Sequence, residues 1–455
     1  MFVGITNTPR NYAWGSQTAI ATLLGREPSG TPEAELWLGA HGGSPAVIID
    51  PAPVNGAATL LEWIAADPET ALGAAPAGSF AAAPTDAATG PREPAEASAA
   101  PHLPFLLKIL AAAAPLSLQA HPTPERARAG FALENAAGIA VDAGDRNYRD
   151  PFHKPELIFA LSENFEALCG FRGLADIHRI IEELRALDVA TDDPQPAALD
   201  LLEQHLTGAD PLQDTVDWLL RDGRGGDSGE VAWLVERVVA LADHAAFLAD
   251  GGAVISFARE LATVRELAAA YPGDPGIVIA LLLNRVTLRR GEALYLPAGN
   301  IHAYLSGLGV EIMAASDNVL RGGLTPKHID IDELLAVLDF APSPVPHLAP
   351  IELAPGVNVY RPGVPEFELV HIQADAPVPV ATGSGAGGAL TASVPMRQVA
   401  LHGPAIAICT AGGFLVAGAG ASVTLKRGES VYLTPDEGTV TFAGAGEVFL
   451  ATTGA

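Results

Sequence analysis

Apolar and polar positions change period along this chain, and the changes divide it. Leu174, Ile177, Ile180, Ile181, Leu184 and Leu187 fall on one stripe spaced by three and four residues. Leu212, Val216, Leu219 and Leu220 make a second, and Val231, Leu234, Val235, Val238 and Leu241 a third. That spacing predicts amphipathic helices and places a helical unit over residues 173–275. On either side the period falls to two, as half-buried strands require. Residues 286–297 and 423–435 are near copies of one another: a short apolar strand, a basic turn ending in Gly-Glu, and a second apolar strand. Each copy predicts an antiparallel hairpin, and the pair predicts two related cupin-type domains, small double-sheet barrels. Only the first copy runs on into a histidine, His302, whereas the second continues Asp436-Glu437-Gly438-Thr439. The C-terminal barrel therefore reads as metal-free.

The predicted fold is mainly β with a helical insertion: two cupin-type jelly-roll barrels plus an α-helical domain. Residues 1–172 and 276–345 form the two parts of a metal-bearing barrel, 173–275 the insertion, and 346–455 the C-terminal barrel. A chain of 455 residues exceeds what one core usually organises, which agrees with several domains. Residues 74–101, rich in Ala and Pro, and 374–394, rich in Gly, Ala and Pro, lack the large apolar side chains of a core and read as poorly ordered loops.

Three short segments carry the candidate chemistry. Read as strands, Ser117-Leu118-Gln119-Ala120-His121 puts Ser117, Gln119 and His121 on one face. His153-Lys154-Pro155-Glu156 likewise puts Lys154 and Glu156 together, with His153 opposite. Gly299-Asn300-Ile301-His302-Ala303-Tyr304 adds another imidazole. Two imidazoles, a carboxylate and an amide oxygen make a fitting set for one divalent ion with room for water or substrate. The plainer alternative is histidines satisfied by ordinary hydrogen bonds, because no short fixed spacing ties these residues together. Glu311 follows a predicted turn at Ser306-Gly307-Leu308-Gly309, and hairpin pairing would return it beside Tyr304 as an acceptor for a ligand imidazole or else leave it in solvent. Trp14 and Trp37 read as packing residues, with lining of the pocket the alternative for Trp14 in its Tyr-x-Trp-Gly loop.

The surrounding words resemble the type I phosphomannose isomerase family. They include Asn11-Tyr12-Ala13-Trp14-Gly15-Ser16, Glu35-Leu36-Trp37-Leu38-Gly39-Ala40-His41 and Leu103-Pro104-Phe105-Leu106-Leu107-Lys108. Asn147-Tyr148 and the run from Phe165 to Arg172 follow, then Glu311-Ile312-Met313-Ala314 and the block from Ser316 to Lys327. The resemblance implies a metal-dependent aldose–ketose isomerase that interconverts mannose 6-phosphate and fructose 6-phosphate through an enediol. It also implies one zinc per chain held by Gln119, His121, Glu156 and His302. Donor chemistry alone leaves manganese, cobalt and iron open. Lys154 is the first candidate for moving the proton, with His153 and Asp317 next. Arg321 lies four residues after Asp317, so that a helical turn would pair them, or its guanidinium serves the enediolate or the phosphate. Ser117, Lys108, Lys327 and Glu311 complete the expected substrate-binding set.

Charge narrows the partners. A formal net charge of −27 argues against nucleic acid and anionic membranes, which demand a basic footprint. Lys108, Lys154, Arg321 and Lys327 nevertheless gather in the motif segments, as a phosphorylated sugar would need. The two cysteines, Cys169 and Cys409, read as reduced thiols of a cytoplasmic protein. No leader or membrane span is indicated, and the oligomeric state is left open. Two other functions compete: a cupin oxygenase using His121, Glu156 and His302 to hold iron, and a non-catalytic sugar-binding cupin. Gln119 and the cationic cluster speak against the first, and the full set of motifs against the second.

Overall fold

The computed structural model describes residues 1–73, 101–225, 228–375, 380–381, 390–391 and 396–454. It combines helices with antiparallel sheets, nine strands in one and ten in another among the described residues. The composition-based loop at 74–101 lies, but for its last residue, outside the described residues. Of 374–394, the described residues 380–381 and 390–391 pair as a short antiparallel ladder.

The strand His302–Ala314 organises the nine-stranded sheet. Its first residues pair with Leu118–Ala120 and Asn164–Phe171, and its later ones with Phe105–Ala112 on one side and Glu156–Ala160 on the other. It therefore passes from one group of strands to the next, and it bends where it does so. The register shifts between Tyr304 and Ser306, and Gly307 takes a φ of 132°. No turn forms at Ser306–Gly309, so the hairpin expected there is corrected: the strand runs through, bent at the one residue type that tolerates this φ.

Alternation along these strands sends every second side chain to an apolar core and the next toward the strand sheet's interior. Leu118, Ala120, Ile301, Ala303, Leu305 and Leu320 join the core shared with the helices Leu174–Val189, Pro211–Gly223 and Glu230–Asp250. The stripe residues from Ile177 to Leu241 lie in that same core. Leu36, Leu107, Ile109, Leu157, Phe159, Val310 and Ile312 join a second core. Both sets of intervening residues are left facing one shared interior.

The internal echo has a common geometry, though not a hairpin. Leu283–Arg289 pairs with Asn164–Phe171, while Ala293–Leu296 pairs with Glu156–Ala160. In the second copy both strands pair with Ala405–Ala417 and not with each other. The basic turn is a corner between separate pairings. In each copy the Glu closes it: Glu292 N donates to Arg289 O at 2.9 Å while its carboxylate accepts from Arg289 N at 2.8 Å. Glu429 repeats this on Lys426 with 2.9 and 2.8 Å, and Gly291 and Gly428 supply φ values of 94° and 86°. The N-terminal strand Phe2–Thr6 lies in the ten-stranded sheet, with Phe2 opposite Leu433.

Gly307→Ala should strain the bend that carries both His302 and Glu311. A Cβ there would stand 2.9 Å from Phe165 Cα and 2.7 Å from its ring. Denaturant unfolding is expected to show a loss of about 1–3 kcal/mol, and an unchanged midpoint would show that the strand can bend elsewhere.

Candidate metal centre

Three side chains meet behind the strands. His121 follows Leu118–Ala120, Glu156 opens the strand Glu156–Ala160, and His302 opens His302–Ala314. Each is almost completely buried, and one ligand atom from each lies within 4.8 Å of the others. Gln119 stands directly across the ladder from His302, with its amide nitrogen 3.2 Å from His302 Nε2. Flipping that amide, which leaves the shape unchanged, presents its oxygen to the same point.

Both imidazoles are oriented from behind. His121 Nδ1 lies 2.9 Å from the Asn318 carbonyl and His302 Nδ1 3.0 Å from the Asn300 carbonyl. A carbonyl only accepts, so each Nδ1 carries the proton and each Nε2 turns its lone pair inward. His121 Nε2 and Glu156 Oε2 are buried without any hydrogen-bond partner. Burying unpaired acceptors is unfavourable, and one divalent cation among Gln119, His121, Glu156 and His302 would satisfy both. Burial pushes the His121 imidazole down to about 4, which keeps it neutral as a ligand must be. Burial opposes charge on Glu156 as well, but the Lys154 ammonium beside it holds the carboxyl well below its ordinary range.

Lys154 is where the sequence reading put it, for a different reason. No strand covers 153–155, because the ladder begins at Glu156, after a proline that has no N–H to donate. The Lys154 ammonium still reaches Glu156 Oε1 at 3.0 Å. His153 points elsewhere, with Nε2 2.7 Å from Glu366 Oε1. Glu311, expected beside a hairpin turn, is instead buried in the middle of its strand, 2.9 Å from the Lys108 ammonium. Burial raises the Glu311 carboxyl. Burial works against the Lys108 charge too, yet Glu311, Glu35 and Glu156 keep that ammonium above its ordinary value.

A cavity of about 300 Å³ opens over this centre. Lys108, Gln119, Lys154, Asp317, Arg321 and Lys327 line it; Ser117 and His153 are not among its lining residues. Asp317 and Arg321 share no helical turn, contrary to expectation: Arg321 is in the strand Leu320–Gly323 opposite Gln119, and Asp317 bonds His41 at 3.1 Å. Burial opposes the Asp317 charge, but the His41 imidazole holds its carboxyl below the ordinary range. Sequence reasoning gave no role to Arg149, His41 or Tyr12, which line the cavity, and read Trp37 as packing, whereas it lines the cavity too and holds the Lys108 ammonium 5.2 Å from its ring. Trp37 and His41 stood in a quoted motif, whereas Arg149 carried no signal beyond following Asn147-Tyr148.

Arg149, Arg321 and Lys327 make no side-chain ion pair or hydrogen bond among the described residues. Burial and the Arg149 charge lower the Arg321 guanidinium, and burial with both arginines lowers Lys327. Three cations that repel one another and lack partners make a cavity wall able to receive a multiply charged anion.

The family model described as phosphomannose isomerase type I, catalytic domain, matches residues 2–174. The mannose-6-phosphate isomerase of Escherichia coli (strain K12) is 35% identical over 445 residues, covering 98% of this chain and 97% of that protein. The Homo sapiens mannose-6-phosphate isomerase is 30% identical over 446 residues, covering 92% and 94%. Among solved structures, the apo form of mannose 6-phosphate isomerase from Salmonella typhimurium superposes with a TM-score of 0.76 at 33% identity, over 100% of this chain and 99% of that one. A zinc-bound holo mannose 6-phosphate isomerase gives a TM-score of 0.77 at 32% identity over the whole of both chains.

His302→Ala should remove tight binding of one zinc ion per chain in equilibrium dialysis, because it deletes a ligand and leaves Glu156 with less compensation. Full occupancy in that variant would move the metal away from these side chains.

Proposed function

The chain belongs to the type I phosphomannose isomerases, and on that premise we propose that it interconverts D-mannose 6-phosphate and D-fructose 6-phosphate as a zinc-dependent aldose–ketose isomerase. The observation that carries this reading is a buried His-Glu-His set with two unsatisfied acceptors, beside a cavity lined by three unpaired cations. Gln119, His121, Glu156 and His302 hold the ion. Zinc bound there supplies a Lewis acid to the C1 and C2 oxygens of the open-chain sugar, where charge develops in an enediol.

Arg149, Arg321 and Lys327 grip the phosphate, and that remote binding positions the reacting carbons. Lys154 carries the proton between C2 and C1, as a neutral amine that takes it from C2 and as the resulting ammonium that returns it to C1: its nitrogen borders both Glu156 and the cavity. Lys108 and Glu311 form a buried pair that fixes the cavity wall and offers a hydrogen-bond donor to a sugar hydroxyl. Asp317, held by His41, is the second group able to pass a proton, and Arg321 sits close enough to the ligand strand to serve the enediolate. His153 bonds to Glu366 and Ser117 precedes the ligand strand, so we assign them support of the wall and not contact with substrate.

The same reading divides the chain into a metal-bearing barrel over 1–172 and 276–345, a helical insertion over 173–275 and a metal-free barrel over 346–455, both barrels of the cupin type. The Phe2–Thr6 strand then reaches across to the second barrel. No helix of the described residues is long and apolar enough to cross a membrane, and a cytoplasmic enzyme acting on a sugar phosphate, without nucleic acid or membrane partners, fits the charge. An oxygenase reading accounts for neither Gln119 nor the cations.

A coupled assay on mannose 6-phosphate tests the proposal, with turnover expected, lost on chelation and restored by zinc. Oxygen uptake without isomerisation would replace it by the oxygenase. Lys154→Met should leave zinc bound while turnover falls by a factor of about 10² or more. Product formed in deuterated water should carry deuterium at C1 if the proton passes through an enediol. Arg321→Ala and Lys327→Ala are each expected to raise KM with zinc content unchanged, and wild-type kinetics in both would reduce the cationic cluster to solvated surface.

A further inference from the structure

Asn318 is completely buried, does not line the cavity, and has every polar atom in use. Its carbonyl takes the His121 Nδ1 proton at 2.9 Å. Its side-chain oxygen accepts from Arg149 N at 2.8 Å and from Asp150 N at 3.4 Å, and its amide donates to the carbonyls of Asp150 and Phe152 at 2.8 Å each. The Asp150 carboxylate closes the knot, accepting from Ser316 Oγ and Asp317 N at 2.8 Å and from Phe152 N at 3.0 Å. Residues 137–155 contain neither helix nor strand. A backbone without a ladder takes its position from side chains such as these.

One residue thus bonds a metal ligand through its main chain and the Arg149 loop through its side chain. A sugar phosphate is held at both ends, and misplacing one end by about 1 Å can lower the rate a hundredfold. We propose that Asn318 is a positioning residue that acts through Arg149, fixing the distance from the phosphate-binding guanidinium to the metal centre. This rests on the sugar-phosphate reading above. The lone cations Arg321 and Lys327 stand on the C-terminal side of Asn318 in the same segment, 318–327, so the one side chain ties the Arg149 loop to the segment that bears the other two cations.

Asn318→Ala separates the two tasks, since it keeps the carbonyl used by His121 and deletes the amide used by the loop. Zinc is expected to stay at one per chain. KM for mannose 6-phosphate and the Ki of inorganic phosphate as competitive inhibitor should both rise by about tenfold, one decade being 1.4 kcal/mol, with a smaller change in kcat. Arg149→Ala should do the same, and the double variant should be no worse than Arg149→Ala, because residues acting through one another do not add. Ser316→Ala, a gentler cut in the same knot, is expected to move KM and Ki in the same direction and serves if Asn318→Ala does not fold. Additive losses, or unchanged KM and Ki in folded Asn318→Ala or Ser316→Ala, would overturn the proposal. Normal Arg149→Ala kinetics on an active wild type would overturn it alone, whereas a wild type inert toward mannose 6-phosphate would remove the reading beneath it too.

Discussion

The Glu156 carboxylate is 2% exposed, and the structure around the centre is arranged to keep it charged there. An isolated carboxylate in a protein interior would rather take up a proton. The Lys154 ammonium at 3.0 Å holds it ionised, while the neutral imidazoles at 3.3 and 3.4 Å turn lone pairs toward it. Even so, Oε2 and His121 Nε2 stay without hydrogen bonds. That residual deficit is what gives the site affinity for a cation: a set already satisfied by protein donors would gain little from a metal. The neighbouring Lys108 meets Glu311 and Glu35 in the same interior, so removing Lys108 would strand the buried Glu311 carboxylate.

Strand alternation makes such an interior possible. Along Phe105–Ala112 and His302–Ala314 alternate residues such as Leu107, Ile109, Ala303, Val310 and Ile312 anchor each strand in one of two cores, and that anchoring sends Lys108, His302 and Glu311 to the opposite face, which they share with Leu110, Ala112 and Tyr304 of a smaller apolar cluster. The register is set by burial, because a slip of one residue would put leucines in the site and charges in the core. Precision at the centre is thus inherited from ordinary hydrophobic packing. The helices contribute from behind by filling the core against Leu118, Ala120 and Ala303.

Much of this was legible in the residues. The helical stripes lie in a core because a 3.6-residue period has one physical cause, and Gln119 faces with its strand because the period of two has another. What escaped was long-range or irregular. The Gly307 bend looked like a turn because Ser-Gly-Leu-Gly is turn chemistry, and only the pairing of Gly309 with both Ala160 and Leu110 reveals a central strand. The echo looked like two hairpins because local sequence specifies the corner but not the partner strands. Asp317 and Arg321 looked helical from spacing alone, whereas the Asp150 and Asn318 hydrogen bonds hold that segment open. Arg149 was invisible for the same reason: nothing in a loop's own sequence says which cavity it faces.

An acidic protein that takes a dianion must reverse its field locally. Surface carboxylates more than about 8–10 Å away are largely screened at physiological salt, so the repulsion that matters is short-ranged, and so is the remedy. Arg149, Arg321 and Lys327 border the cavity without counter-ions, whereas many other arginines of the protein, Arg126, Arg185 and Arg237 among them, are paired with carboxylates. The cations at the cavity thus differ from these paired arginines in leaving their charge open to an anion, as the proposed function requires. Burial and mutual repulsion both disfavour charge on Arg321 and Lys327, so an anion bound among the three cations, as proposed, would relieve that repulsion and draw part of its affinity from it.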